Sequence, residues 1–276
     1  MNAGEHLLGK ALLQRPTLGR YCLDESYLQQ QLRAAGSSAG ALRALLRHLL
    51  CSLEARMLEE DLPQEIRARV RNEACRIEAA LDSEPDAFYS LDNDAFLKDL
   101  SILLLTLLPC GAELVQVRAG IPRSVVLRGG LRQFLRGLWF FGVRTHGFRP
   151  FLSLHMDVRF TEDFNPDGWH RTYLCIAELL RSRPELKGVF GTAWFYDPEI
   201  ERISPHLSYL RVQREMAGAR TFIYGPSESA RRNALARSRT RRRLYEEGRY
   251  EPKSCYIVWP RRDLLRWAEA NRGGSN

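Results

Sequence analysis

From Ala41 onward, apolar side chains recur at helical spacing. Leu42, Leu45, Leu46, Leu49, Leu50, Leu53 and Met57 follow one another with arginines and glutamates between them. A period near 3.6 gathers such positions on one face, so this stretch predicts an amphipathic helix. A second helix is predicted from Pro63, a residue tolerated in a first turn, to Leu81, with Ile66, Val70, Ala74, Ile77 and Leu81 on its apolar side. A third begins at the capping residues Asp92, Asn93 and Asp94 and runs through Phe96, Leu100 and Leu104 to a stop at Pro109. These stripes predict a helical core in the first hundred or so residues.

The period changes after Cys110-Gly111. The runs "AELVQVRAG", "RSVVLRGG" and "FLSLHMDVRF" have the short, β-rich character of strands, with a helix "LRQFLRGLWFF" between the second and third. A helix over 168–182 follows, closed by Pro184, then a strand over 188–196 and a helix ending near Met216. A strand over 220–225, an arginine-rich segment, a strand over 254–260 and a last helix "RRDLLRWAEA" complete the chain. The order predicts an α+β fold: a helical N-terminal domain over 1–112, then a mixed sheet flanked by helices over 113–276.

Within 151–160 the alternation is regular. Leu152, Leu154, Met156, Val158 and Phe160 fall on one side, and Ser153, His155, Asp157 and Arg159 on the other. A strand of period two would bury the first set and line up an imidazole, a carboxylate and a guanidinium on the opposite face. That row is either a self-satisfying polar network or a piece of catalytic machinery.

Composition narrows the class. Hydrophobic residues at 45% and charged residues at 27% are those of a soluble globular protein. The apolar run from Ile102 is too short to span a bilayer, and Glu5, Lys10 and Arg15 interrupt the first twenty residues, which do not read as a secretory signal. No membrane association is expected, and the expected location is the cytoplasm. Six cysteines, none in a C-x-x-C pair, are expected as reduced thiols, those at 51, 75 and 175 buried in helices, with no metal bound. The net charge of +8 is concentrated: 225–243 holds seven arginines against Glu228 and so carries +6 of it. A local excess of guanidinium points to a particular anionic partner, because planar bidentate contacts suit phosphate better than solubility requires.

Strand 151–160, helix 168–182, strand 188–196, helix 204–216 and strand 220–225, with the passage "EMAGARTFIYG", resemble the GCN5-related N-acetyltransferase (GNAT) fold. The resemblance implies an acyl-CoA-dependent N-acyltransferase, with acyl-CoA or acetyl-CoA as cosubstrate and a small amine or amino-acid-like acceptor. It implies a phosphate-binding loop before helix 168–182, where Arg159, Gly168 and Trp169 stand, and a base on the central strand, for which His155 and Asp157 are the candidates. The loop departs from the family pattern: "RFTEDFNPDGWHR" places Glu162, Asp163 and Asp167 where anions should bind. The family's thiolate-protonating tyrosine has no counterpart four residues before Gly218, where Arg214 stands. Arg231, Arg232 and Arg239, on a predicted helix over 230–247, are the remaining candidates for the CoA phosphates.

Two other readings stay open. The arginine segment 231–243 also suits a nucleic-acid backbone in a non-enzymatic regulatory protein. His155-x-Asp157 with His170 or His206 would match the facial triad of a non-haem iron oxygenase. A homodimer through the N-terminal helices is the expected assembly, if there is one.

Overall fold

The computed structural model describes residues 20–34 and 38–272. The leucine stripes fold as helices α1 (Glu25–Ala34), α2 (Ser38–Cys51), α3 (Leu53–Glu59), α4 (Gln64–Ala80) and α5 (Asp94–Leu103). The helix expected to continue through Met57 breaks at Ser52. The Ser52 hydroxyl donates back to the carbonyls of His48 (3.1 Å) and Leu49 (3.3 Å), a local competitor of the helical ladder. Buried Arg56 then ties the two pieces to α5, donating to Leu49 O at 2.7 Å and Leu103 O at 2.5 Å. Asn93 caps α5 by accepting from Ala95 N at 3.0 Å.

The helix predicted to reach Pro109 stops early. Leu105 turns to φ 58°, and Leu107–Cys110 becomes β1, the edge of a six-stranded sheet in the order β1-β2-β3-β4-β6-β5. An edge strand tolerates Pro109 because a missing N–H there breaks no obligatory ladder bond. The other strands are β2 (Glu113–Ala119), β3 (Phe151–Met156), β4 (Gly188–Ala193), β5 (Arg220–Pro226) and β6 (Lys253–Pro260). Neighbours are antiparallel except β3 and β4, which run parallel and pair at only three positions, Leu152–Val189, Ser153–Phe190 and Leu154–Gly191.

Alternation along the strands sends side chains into two cores. Leu152, Leu154, Val189, Ile257 and Trp259 join a large cluster with α7 (Pro166–Ser182), the C-terminal helix α11 (Arg261–Asn271) and the N-terminal helices. Phe151, Phe190, Phe222 and Val258 face the other way, against Val126, Phe140 and Phe141 around helix α6 (Gly130–Trp139). The expected division at 112/113 falls in the turn between β1 and β2, and the first cluster runs across it from Tyr21 to Ala268.

Three further expectations change. "RSVVLRGG" forms a 3-10 turn over Arg123–Val126, with Val125 and Val126 packed into the second core rather than paired in a strand. The arginine segment is two helices, α9 (Glu228–Ala236) and α10 (Arg239–Glu246), because Ser238 starts a new helix by accepting from Arg241 N at 3.2 Å. Cys51 and Cys75 are exposed, since they lie off the apolar stripes of α2 and α4, while Cys175 is buried. Between β4 and β5 the chain forms one turn over Ile200–Ile203 and then α8 (Tyr209–Met216). Among the described residues no helix is long and apolar enough to cross a membrane.

Phe222 holds the second core together, with ring centroids 5.4 Å from Phe140 and 5.2 Å from Phe141 and no exposed surface. Phe222→Ala is expected to cost about 3–5 kcal/mol, measured as a lower urea midpoint at unchanged slope.

Candidate functional site

Strand β3 ends sooner than its alternation predicts. Asp157 leaves the ladder because its carboxylate accepts from Arg159 N at 2.9 Å, an Asx turn that opens a 3-10 segment over Val158–Asp163. Met156 and Val158, expected inside, are 49% and 77% exposed. The polar row is thereby taken apart. His155 Nε2 bonds Gln116 Oε1 at 2.8 Å, and its ring meets Tyr21 edge-on at 5.1 Å, whereas Asp157 turns to Arg159. Burial first, and then the charge of Lys98, lower the imidazole pKa to about 4.

Asp157 belongs to an ion-pair network that binds the end of β3 to α4 and α5. Arg159 donates to Asp157 Oδ1 (2.8 Å), Asp157 Oδ2 (3.0 Å), Glu73 Oε2 (2.8 Å) and Asp99 Oδ1 (2.9 Å). Arg76 reaches the same Asp99 oxygen at 2.5 Å, and Lys98 Nζ stands 3.3 Å from Asp157. Burial alone would raise the Asp157 pKa, but the hydrogen bonds and charge of Arg159, with Lys98, outweigh it and hold the group at about 2. Arg159 is consumed by carboxylates.

The loop after β3 is closed by its own side chains. Asn165 Oδ1 accepts from Gly168 N at 2.9 Å, filling the N-terminus of α7, and Asp167 lies in its first turn. At Gly168 a Cβ would stand 1.9 Å from the Asp163 carbonyl oxygen, so loop and helix touch backbone to backbone. The residues here do not fit a pyrophosphate: the N–H donor is taken and the neighbouring charges are negative. Trp169 points inward, 1% exposed.

Trp169 leads to a cluster that the sequence pattern did not single out. Beyond Leu154 and Gly191 the parallel strands β3 and β4 part. A Cβ on Gly191 would meet Tyr196 Oη at 2.8 Å and Leu154 Cδ1 at 3.4 Å, so Tyr196 stands in the fork. The Arg214 guanidinium, on α8 and 2% exposed, lies 4.8 Å from the Trp169 ring, 5.1 Å from Tyr173 and 4.7 Å from Tyr196, and donates to Tyr196 Oη at 3.2 Å. Glu113, at the first position of β2 and also 2% exposed, feels the charge of Arg214. Burial, opposed by the Arg214 and Lys98 charges, raises its carboxyl to about 8. Glu113 Oε2, Trp169 Nε1 and Arg214 Nε are buried without a hydrogen-bond partner. These orphaned polar groups lie on three elements at the carboxyl ends of the diverging parallel strands, which makes the cluster the candidate site for a polar ligand. The signals in the sequence were slight: Arg214 at the position where a tyrosine was sought, and Glu113 as the last acid before Asp157.

The arginine insert lies at the same end of the sheet, since β4 ends at Ala193 opposite Cys255 and β5 ends at Pro226 opposite Lys253. Two of its arginines have structural roles. Arg241 donates to Ala234 O (2.6 Å) and Ser204 Oγ (2.8 Å) beneath Trp194, and Arg242 caps α9 through Leu235 O (2.9 Å) and Ala236 O (3.1 Å). Arg231 pairs with Glu228 beside a surface pocket of about 250 Å³ that Tyr245 and Glu251 also line. Arg232, Arg237 and Arg239 are exposed and, among the described residues, have no ion pair or hydrogen bond. For the iron reading, His170 lies against the Trp267 ring at 5.1 Å and His206 is exposed on a separate turn. Among the described residues no three His, Cys, Asp or Glu side chains gather to hold a metal.

No family model matches the chain, and no curated protein matches it in sequence. In three dimensions it is similar to a crystal structure of an acyltransferase in complex with decanoyl-CoA and teicoplanin. The identity is 11%, the TM-score 0.50, and the match covers 93% of this chain and 76% of that one. At that identity the likeness is one of fold.

Arg159→Ala would take from Asp157, Asp99 and Glu73 their shared partner, leaving Lys98 to the first and Arg76 to the other two, at an expected cost of about 1.5–3 kcal/mol at neutral pH. Because the folded Asp157 pKa is depressed to about 2, its stabilisation is complete above the ordinary carboxylate range and vanishes as pH falls through 2. Thermal melts across pH 2–7 should therefore show parent and variant converging at the acid end.

Proposed function

We propose that the protein is an acyl-CoA-dependent acyltransferase of GNAT-like architecture that acylates an amine, with Glu113 rather than His155 as the base. The observation that carries this reading is the buried Glu113–Arg214–Tyr196 cluster in the fork of the sheet's single parallel pair. The strand order, with its one parallel junction, and the fold shared with an acyltransferase that binds decanoyl-CoA support it.

A bound thioester would supply an activated acyl carbon; the chain's own residues supply the proton chemistry. Glu113, poised near pH 8, takes the proton that an attacking amine must lose. Tyr196 Oη accepts from Arg214, so its own hydrogen is free to be donated to a leaving thiolate. His155, held near pKa 4, is neutral but spends Nε2 on Gln116, and Asp157 is too acidic and too firmly paired to exchange protons at neutral pH. The CoA phosphates have no cradle at the α7 N-terminus; the unpaired guanidiniums of Arg232, Arg237 and Arg239 are the groups that suit them. The same three charges would serve a nucleic-acid backbone, but that reading leaves the buried cluster without a task.

Turnover with a panel of acyl-CoAs and amines tests the assignment. Glu113→Gln should lower kcat by about 100-fold or more and remove a rise in rate through pH 8. The raised carboxyl also works against folding as pH climbs from the ordinary carboxylate range to 8, at a limiting slope of about 1.4 kcal/mol per pH unit. Glu113→Gln should abolish that decline in urea melts. His155→Ala should leave turnover per folded molecule within about twofold; the reverse pattern returns the base role to the imidazole.

Arg232→Glu combined with Arg239→Glu should raise the acyl-CoA Kd by about tenfold and leave kcat at saturation unchanged. Unaltered affinity, measured by calorimetry, would remove the insert from the cosubstrate site.

A further inference from the structure

Helix α6 is mounted with its apolar side outward. Its inward face carries Gln133 and Gly137. Gln133 Nε2 donates to Val125 O and Ile223 O, each at 2.8 Å, and its Oε1 accepts from Ile223 N at 2.8 Å. Arg136 donates to Thr221 O at 2.8 Å, and at Gly137 a Cβ would meet Val126 Cγ1 at 2.6 Å. Thr221 and Ile223 belong to β5, the outer strand of the sheet, so α6 satisfies backbone groups that no neighbouring strand reaches. Rolling the helix to bury its leucines would leave those groups bare.

The orientation has a consequence at the surface. Leu127, Leu131, Leu135, the adjacent Leu138 and Trp139, and Val143 recur at three- and four-residue spacing and are all between 50% and 72% exposed. Scattered exposed leucines need no explanation, but a continuous stripe of six large side chains does. The sequence that carries it, 114–156, contains seven arginines and no aspartate, glutamate or lysine, and Arg123, Arg128 and Arg132, next to the stripe in the chain, are exposed. Leucines and a tryptophan on one face with exposed arginines among and beside them form the pattern of a helix that lies in a lipid interface, apolar side down and guanidiniums at headgroup level.

We propose that this face docks on an anionic lipid bilayer, independently of the chemistry at Glu113. Charge decides between the occupants. A second copy packed through the same face would set one arginine-bearing patch against another, since a twofold contact pairs a patch with itself. A neutral bilayer would leave the arginines without counter-charges, whereas an anionic one supplies them.

Co-sedimentation of the full chain with vesicles of phosphatidylcholine, with and without phosphatidylserine, tests the proposal. Binding to the phosphatidylserine vesicles should exceed binding to phosphatidylcholine alone by about tenfold and weaken as salt rises. Leu131→Ser with Leu138→Ser, both at exposed positions, should reduce that binding about tenfold at unchanged melting temperature. Arg128→Glu with Arg132→Glu should abolish the preference for phosphatidylserine, and serves if the serine pair disturbs folding. Absence of binding to phosphatidylserine vesicles, or binding indifferent to both pairs of substitutions, overturns the proposal. Loss of a dimer on Leu131→Ser and Leu138→Ser in sedimentation equilibrium, without vesicle binding by the parent, would assign the face to a second copy.

Discussion

Two parallel strands that pair at three positions and then separate impose the constraint on which the rest of the molecule depends. β3 and β4 each keep an antiparallel partner on the far side, β2 and β6, so neither loses its ladder when they part. The fork between them must be filled by side chains, and backbone groups facing it need polar company. Tyr196, Tyr173, Trp169 and Arg214 supply that filling from three different segments. A guanidinium among three rings is an uncommon core, stabilised by cation–π attraction and yet held open to a further polar contact by its unpartnered Nε.

The same fork explains why two carboxylates so close together behave in opposite ways. The charge of Asp157 helps to raise the Glu113 carboxyl, and Lys98 acts on both. Asp157 is met by a guanidinium in direct hydrogen bonds and stays ionised. Glu113 is met only through space, and desolvation wins. Direct bonds to the charged form outweigh burial in one case, and burial outweighs distant charge in the other. On the proposed reading, the first of these acids carries structure and the second is the one available for proton transfer.

At the opposite face the constraint is the exposed backbone of β5. Side chains from α6 cover it, and the cost is that the helix presents leucines to the outside. Edge protection and an outward apolar stripe thus come from one rotation of one helix.

Local periodicity determined a good deal by itself: the leucine stripes of α2 to α5, the helix over Pro166–Ser182, the strands β2 to β6 and the α+β order all follow from patterns within a dozen residues. It also marked Asp157 and Arg159 as needing partners, since a buried charged row has to be paired. What it did not contain was the identity of those partners. Glu73 and Asp99 lie 86 and 60 residues from Arg159, and their meeting is set by how α4 and α5 pack on the sheet. Glu113 and Arg214 stand at unremarkable places in their own segments and acquire meaning only when strand and helix converge on the fork. The face that α6 turns outward was likewise undetermined, because a helical period shows that two faces differ without saying which one the sheet receives. Short-range spacing specifies elements; the chemistry here arises where distant elements exclude water together, and that is decided only by tertiary packing.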